Sequence, residues 1–340
     1  MRGDPKQAVK ADPREKALLV PLAREGAASL FLHANNPGAN DGVCPELLMK
    51  HQRAHQTAIR YFFERYISNK NRWCVAALAK AEWALKIFPD LPADQAVARL
   101  WELIFESARI GSDGDAWQSH SAALKSRCQR LNSLGLTGLL LRSSNGTKLY
   151  VGLPEGHSWE GGGDKDTSGV PFFPNIPTEE VFTAPHRERV NGTVRSSMPL
   201  IHRGVMINDF TLTFRRGKAV SVKAAQGEEL LKKIIETDAG ASRLGEIALV
   251  PHSSPISRSG VLFYDSLFDE NASCHLALGE AFAKCLDGAQ GKPAAVQKRL
   301  GLNKSLTHVD FMIGTPDMDI VGIKKNGDKV WIFKQGDWAF

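Results

Sequence analysis

The spacing of apolar positions predicts helices in the first part of the chain. Apolar residues recur at helical spacing over residues 46–67, 93–110 and 116–134. Gly135 follows the last of these stretches, where glycine is the usual C-terminal cap of a helix. Residues 73–79, WCVAALA, are predicted to form a strand. The first part therefore combines helices with at least one strand.

After Gly138 the pattern becomes typical of β-strands. Predicted strands flank Asn145-Gly146 and Asn326-Gly327, and Asn-Gly between alternating residues is the strongest short signal for a β-hairpin. Residues 210–224 predict a third hairpin. The sequence thus predicts an α/β (α+β) fold in three parts: a disordered segment at 1–16, an N-terminal α/β domain at 17–140 and a larger β-rich domain at 141–340.

The net charge of +6 argues little for binding to nucleic acid once its distribution is considered. Residues 1–150 carry 21 Lys and Arg against 14 Asp and Glu, a net charge of +7, whereas residues 151–340 carry 22 against 23, a net charge of −1. The basic excess is spread over predicted helices and is not interleaved with aromatic residues as a cluster. We therefore expect no nucleic-acid partner.

The sequence also predicts a cytoplasmic protein without a membrane partner. It contains no apolar run near the ~18 residues that a membrane helix needs, and its first sixteen residues do not have the pattern of a secretory signal. Five scattered cysteines form no CxxC pair, which is typical of reduced thiols: Cys44, Cys74, Cys128, Cys274 and Cys285.

Candidate chemistry begins in residues 174–194, PNIPTEEVFTAPHRERVNGTV, where two adjacent glutamates lie in a stretch that favours extended backbone. Its prolines prevent a regular helix. Since successive side chains of a strand point to opposite faces, only one of Glu179 and Glu180 can face a given site.

Four further groups have the chemistry of metal ligands. Glu246 lies beside the apolar run IALV, where an unpaired buried carboxylate would cost several kcal/mol. His275 is predicted to lie early in a helix that begins near Asn271, because two acidic residues just before Asn271 favour a helix N-terminus. His308 and Asp310 are two apart in an apolar strand, so their side chains face the same side.

Three carboxylates and two imidazoles with no thiolate suit Zn²⁺, Co²⁺ or Mn²⁺ in a site that is not purely structural. Two such ions about 3.5–4 Å apart are the arrangement that aminopeptidases and phosphatases use. Each residue alone also fits a structural role, such as a hydrogen-bonded histidine. The pair His51 and His55, with i, i+4 spacing on a predicted helix, is interpreted as structural.

At these residues the chain resembles the aminopeptidase T / aminopeptidase S type metallo-aminopeptidases, over roughly residues 24–340. The similar motifs are PNIPTEEVFT with RVNGTV, GEIALVP with SPIS, LFDENASCHLALG, SLTHVDFMIG and the closing GDWAF. The resemblance implies a homodimer that releases N-terminal residues from peptides with a free N-terminus. It implies two divalent ions per chain, with ligands at Glu180, Glu246, His275, His308 and Asp310.

Two departures from the family bear on catalysis. Seven residues after His275, where the family usually has a tyrosine of the site, this chain has Phe282. The chain also lacks about seventy N-terminal residues of the family, a sizeable part of a domain of about 50–250 residues, which implies an incomplete first domain.

Glu179 is the predicted general base or anchor for the substrate amine.

The two departures leave open an alternative function, a metal-binding homologue with little or no catalysis. Another binuclear hydrolase, such as a phosphatase, is opposed by the resemblance and by the lack of a phosphate-binding loop. A serine hydrolase is opposed by the absence of GxSxG.

Overall fold

The computed structural model describes residues 11–37, 39, 45–111, 115–202 and 204–340. The helices are α1 Pro13–Arg24, α2 Pro45–Ala58, α3 Arg60–Ile67, α4 Ala81–Ile87, α5 Ala93–Ser107, α6 Ala116–Ser133, α7 Glu228–Ile235, α8 Pro255–Ser259, α9 Ser266–Asp269 and α10 Ala294–Arg299, with short 3₁₀ helices at Glu270–Ala272 and Ala283–Cys285. Within these ranges, none of the helices has the length and apolar character needed to cross a membrane.

The strands are β1 Ser29–His33, β2 Trp73–Ala77, β3 Leu136–Arg142, β4 Lys148–Gly152, β5 Asp164–Lys165, β6 Pro171–Phe172, β7 Asn175–Ile176, β8 Val181–Thr183, β9 Val190–Arg195, β10 Leu200–His202, β11 Val205–Arg215, β12 Lys218–Gln226, β13 Leu244–Leu249, β14 His275–Gly279, β15 His308–Met312, β16 Asp319–Lys324, β17 Lys329–Lys334 and β18 Asp337–Trp338. The mixture of helices and sheets confirms the predicted α/β class.

Most of the predicted elements are present. The two Asn-Gly turns join β3 to β4 and β16 to β17, both antiparallel pairs, and β11 pairs with β12 as the third predicted hairpin. The helix predicted over residues 46–67 is two helices, α2 and α3, which meet at Ile59.

The predicted disorder of residues 1–16 is wrong for residues 13–16, and residues 1–10 lie outside the described ranges. Helix α1 starts at Pro13, and the Asp12 side chain accepts a hydrogen bond of 2.9 Å from the backbone N–H of Arg14. Asp at the N-cap followed by Pro at the first helical position is a strong helix start, because it satisfies an otherwise unpaired donor and fixes φ.

By compactness the chain forms two units, of which the first comprises Met1–Val97 with Gly163–Ile176. Its sheet has the order β1-β2-β7 and its strands run parallel. A small core forms where Ala23 of α1 packs with Ile59, Phe62 and Tyr66.

The second unit comprises Ala98–Gly162 with Pro177–Phe340. It therefore includes α6, which the predicted domain boundary at residue 140 assigned to the first domain. The reason is packing, because Leu124 and Leu131 of α6 are fully buried in the large apolar cluster of this unit.

Two antiparallel sheets build the second unit. The larger one has the order β10-β11-β9-β4-β3-β16-β17-β18, with β12 paired to β11, and the smaller one has the order β15-β14-β13-β8. Ile247, Leu276 and Phe311, from three neighbouring strands of the smaller sheet, belong to the same buried cluster as the strands of the larger sheet. These three residues lie opposite one another in the ladder, so they share one face. The other face of the smaller sheet carries the polar residues described next.

Candidate metal centre

Four of the predicted ligands lie on one face of the smaller sheet because of strand register. Glu246 is opposite Ala277, which in turn is opposite Asp310, and His308 is opposite Gly279. Residues directly opposite each other in an antiparallel ladder share a face, and so do residues two apart in a strand. His275, two residues before Ala277, therefore faces the same side as both carboxylates.

The fifth predicted ligand, Glu180, reaches the same face from the edge strand β8. Phe182 is opposite Ala248, and Ala248 is opposite His275. Glu180 is two residues before Phe182 and directly precedes β8. The expectation that only one of the two adjacent glutamates faces the site therefore fits the structure, and the one that does is Glu180.

The five side chains converge at their polar ends. The Nε2 atom of His275 lies 3.1 Å from Oε2 of Glu180 and 3.6 Å from Oε1 of Glu246. Ligand atoms of these three residues all lie within 4.8 Å of one another, a spacing that one metal ion could bridge. His308 Nε2 lies 3.7 Å from Oε2 of Glu246 and 3.2 Å from Oδ1 of Asp310.

The two oxygens of Glu246 therefore face two different histidines. Oε1 is near His275, which has Glu180 beside it, and Oε2 is near His308, which has Asp310 beside it. The site consists of two imidazole–carboxylate pairs joined by one carboxylate, and Glu246 is 96% buried between them.

Backbone carbonyls fix which nitrogen each histidine presents. Nδ1 of His275 is 3.2 Å from the carbonyl oxygen of Ser273, and Nδ1 of His308 is 2.9 Å from that of Glu280. A carbonyl can only accept, so each Nδ1–H donates and Nε2 is left as the atom that faces the carboxylates. A second hydrogen bond of this kind is what orients imidazoles that bind metals.

The electrostatics of the cluster favour a cation. Burial raises the pKa of the Glu246 carboxyl, and the nearby Glu180 raises it further. Burial lowers the pKa of His308, but the Asp310 and Glu246 carboxylates outweigh burial and raise it to about 10. The pKa of His275 is likewise well above its ordinary value, because the charges of Glu180 and Glu246 outweigh burial. The carboxylates thus favour positive charge at the centre, which a divalent cation would supply.

Glu270 is a further carboxylate whose charge interacts with those of Asp310 and Glu180, whereas the sequence predicts for it only the role of favouring a helix N-terminus. Burial raises its pKa well above the ordinary value, and so does the proximity of the Asp310 and Glu180 charges. It lies on a 3₁₀ turn just before β14, inside the motif LFDENASCHLALG, and that motif was the signal that could have pointed to it.

The residues fit a divalent ion. The Oδ1 atom of Asp310 is buried and makes no hydrogen bond, although it lies 3.2 Å from His308 Nε2. This oxygen is therefore an acceptor that a metal ion could use. Carboxylate oxygens and imidazole nitrogens without thiolate are the donors of Zn²⁺, Co²⁺ and Mn²⁺ sites.

The prediction that His275 lies in a helix is wrong, since His275 is the first residue of strand β14. Helix α9 is capped by the Asp265 side chain, and the 3₁₀ turn that follows it ends at Ala272. The run HLALG that follows is wholly buried between β13 and β15. A short apolar run cannot be assigned to helix or strand from periodicity alone.

Phe282 consequently follows a strand and does not share a helix face with His275. It precedes the second 3₁₀ helix, and its side chain is 38% exposed. Its ring centroid is 5.0 Å from that of His308 and 6.0 Å from that of Phe182. The residue therefore lies beside His308 at the candidate centre.

Glu179 lies apart from the five converging side chains. The guanidinium of Arg109 binds its carboxylate at both oxygens, with Nη1 2.5 Å from Oε1 and Nη2 2.9 Å from Oε2. The carboxylate is thus paired with Arg109, and the role of general base or amine anchor stays a prediction for Glu179.

The structural interpretation of the other histidine pair agrees with its contacts. The His51 and His55 rings stack with centroids 6.4 Å apart, and His55 Nε2 is 3.0 Å from the Glu15 carboxylate.

A face of carboxylates and imidazoles on an α/β scaffold is typical of a metal-dependent hydrolase. The chain matches the family model described as Thermophilic metalloprotease (M29) over residues 4–338, and it belongs to that family.

Characterised relatives support the same assignment. Aminopeptidase 2 of Geobacillus stearothermophilus is 43% identical over 321 residues, which cover 94% of this chain and 78% of that protein. Aminopeptidase T of Thermus thermophilus is 43% identical over 318 residues, 93% of this chain and 77% of that protein. The solved structure of wild-type AmpT from Thermus thermophilus has a TM-score of 0.93 at 40% identity and covers all of this chain and 83% of that one. The predicted family and enzyme class, a metallopeptidase, are confirmed.

Proposed function

We propose that this protein is an aminopeptidase that releases N-terminal residues from peptides by means of two divalent metal ions. One ion would be held by Glu180 and His275, the other by Asp310 and His308, and Glu246 would bridge them. The observation that carries the proposal is the placement of the two Glu246 oxygens, each facing a different histidine that has its own carboxylate. A single-ion site would not need this arrangement.

Zn²⁺, Co²⁺ or Mn²⁺ bound there would lower the pKa of water towards ~7 and polarise the scissile carbonyl. The chain's own residues would supply the rest. The Nδ1–H bonds to backbone carbonyls would keep the Nε2 atoms of His275 and His308 directed at the centre, and Phe282 with Phe182 would form an apolar wall beside His308. The free α-amine of the substrate would bind the second ion or a carboxylate of the site.

The proposed substrates are peptides with a free N-terminus, since the characterised relatives are named aminopeptidases. We also propose a homodimer, as the resemblance implies, which light scattering of the purified protein would test. A cytoplasmic location is proposed from the thiols, because the described cysteines Cys74, Cys128, Cys274 and Cys285 are free. Cell fractionation would test it.

Release of the N-terminal residue should depend on both the metal and the free amine. We expect metal-stripped protein to be inactive on a short unblocked peptide and to regain activity with Co²⁺, Zn²⁺ or Mn²⁺. The N-acetylated form of the same peptide should not be cleaved, because its blocked nitrogen can bind neither an ion nor a carboxylate as a free amine would. Chromatographic detection of the released amino acid measures this.

Equal cleavage of the blocked peptide would contradict the aminopeptidase proposal and favour an endopeptidase. If folded, metal-loaded protein released nothing from any peptide, a homologue without catalysis would become the better account.

Phe282→Tyr should raise kcat at least about tenfold. A phenolic hydroxyl beside His308 would add a hydrogen-bond donor near the developing oxyanion, and removal of one such donor elsewhere has cost about 10²–10³ in rate. Steady-state kinetics on the unblocked peptide measure the change, with Phe282→Leu as the control that alters the ring without adding a hydroxyl. A tyrosine variant no faster than wild type would show that this position has no part in stabilising the oxyanion.

A further inference from the structure

Hydrogen bonds from side chains hold the segment that precedes strand β8. Residues 178–180 belong to no strand. The backbone N–H of Glu179 donates to Oδ1 of Asn271 at 2.7 Å, and the carbonyl oxygen of Thr178 accepts a hydrogen bond of 2.7 Å from Nε2 of His120. Since a carbonyl can only accept, His120 Nε2 is the donor of this bond, and burial lowers the pKa of the ring. Both backbone groups just before Glu180 are thus held by specific side chains.

The Glu179 side chain is held at a third point. Its carboxylate is 97% buried and receives both terminal nitrogens of Arg109, as described above. Arg109 also donates to the carbonyl oxygen of Ser107 at 3.2 Å. Its backbone has a φ of 54°, the left-handed region that a non-glycine residue rarely adopts. Strained backbone of this kind persists where the surrounding contacts over-determine it.

A buried ion pair adds little net stability over apolar residues of the same volume, so stability alone does not explain this one. Its neighbour does. The Glu179 carboxylate binds Arg109, whereas Oε2 of the adjacent Glu180 lies 3.1 Å from His275 Nε2, so the two side chains have different partners. Because the two residues are adjacent, fixing Glu179 also restrains the direction of Glu180. Asn271 strengthens the link, because it belongs to the turn that leads into His275.

We propose that Arg109, together with Glu179, is a positioning pair that aims the Glu180 carboxylate at the metal centre. This inference rests on the proposed metal site, but it does not require that the site cleave peptides. Arg109 and Glu179 touch neither the metal nor the substrate in this account and act only through Glu180. Partners that orient metal ligands in this way typically contribute 10–100-fold to metal affinity.

The test compares metal binding with folding in the full chain. Glu179→Gln and Arg109→Lys should each weaken Co²⁺ binding at least tenfold in calorimetric titration, and the visible absorption bands of bound Co²⁺ should change as Glu180 moves. Arg195→Lys is the matched control, since Arg195 forms an exposed ion pair with Asp209 in the same unit. It should leave both readouts unchanged.

A double variant separates positioning from stability. Arg109→Met with Glu179→Leu replaces the ion pair by apolar side chains, which should recover the melting temperature lost by either single variant. If the pair positions Glu180, Co²⁺ affinity should stay at least tenfold below that of the wild type in the double variant. Recovery of affinity along with melting temperature, or wild-type affinity and spectrum in both single variants, would overturn the proposal.

Failure of the proposed function gives a different result. A wild-type protein that bound Co²⁺ but released no amino acid would contradict the aminopeptidase proposal. The Co²⁺ affinities of the wild type and the variants would still test the positioning pair.

Discussion

Glu246→Gln is expected to abolish peptide hydrolysis and to weaken metal binding by at least about 10³-fold. The loss should exceed the 10–100-fold effect of residues that merely orient ligands, because an amide is a weak ligand and Glu246 faces both histidines. The fold should survive, since glutamine has nearly the same shape and removes a buried negative charge that lies near Glu180 and Asp310. Calorimetric titration with Co²⁺ and the peptide-release assay measure the two losses.

The melting temperature of the metal-free variant distinguishes loss of a ligand from loss of the fold. It should stay within a few degrees of that of metal-free wild type, where one kcal/mol corresponds to about 2–4 °C in a domain of 150–250 residues. Glu229→Gln is the control, because the Glu229 side chain is 81% exposed and pairs with a surface lysine, Lys232. A Glu246→Gln protein that kept wild-type affinity and rate would remove Glu246 from the site.

Ala277→Leu should block the centre without removing any ligand. Ala277 is fully buried and lies in the ladder between Glu246 on one neighbouring strand and Asp310 on the other. Its methyl group forms part of the floor beneath the converging side chains, and the larger leucine would occupy the space of the ions. We expect metal affinity and peptide release to fall at least about 100-fold, beyond the 10–100-fold range for residues that only orient ligands.

Overpacking by itself costs about 1–3 kcal/mol of stability, so a matched control is needed. Ala23→Leu overpacks a fully buried alanine of helix α1 in the other unit. It should lower the melting temperature comparably and leave metal affinity unchanged. The account of the site face would be contradicted by an Ala277→Leu protein that bound two ions normally.

The local parts of the site could be predicted from the sequence. His308 and Asp310 share a face because the two-residue period of a strand leaves no alternative once the strand is recognised. The same period showed that Glu179 and Glu180 must diverge. It did not say which of them faces the site, and that assignment came from the resemblance to a family. Turn chemistry was equally local, so the Asn-Gly hairpins were predicted correctly.

The remainder depends on pairing between distant segments. His275 meets Glu246 only because β14 pairs with β13 in one register, and nothing in HLALG specifies that register or excludes a helix. The ion pair of Arg109 and Glu179 joins residues 70 positions apart, one of them at the end of a helical region with no motif. The charge of Glu270 comes to interact with those of Asp310 and Glu180 through the same long-range packing.

The most direct test of the two-metal account is to measure peptide release as metal is added stepwise to stripped protein, with bound metal determined at each step. The account predicts that activity rises to its plateau when two ions are bound per chain and that an N-acetylated peptide stays intact throughout. Full activity with one ion bound, or none with two bound to folded protein, would contradict it.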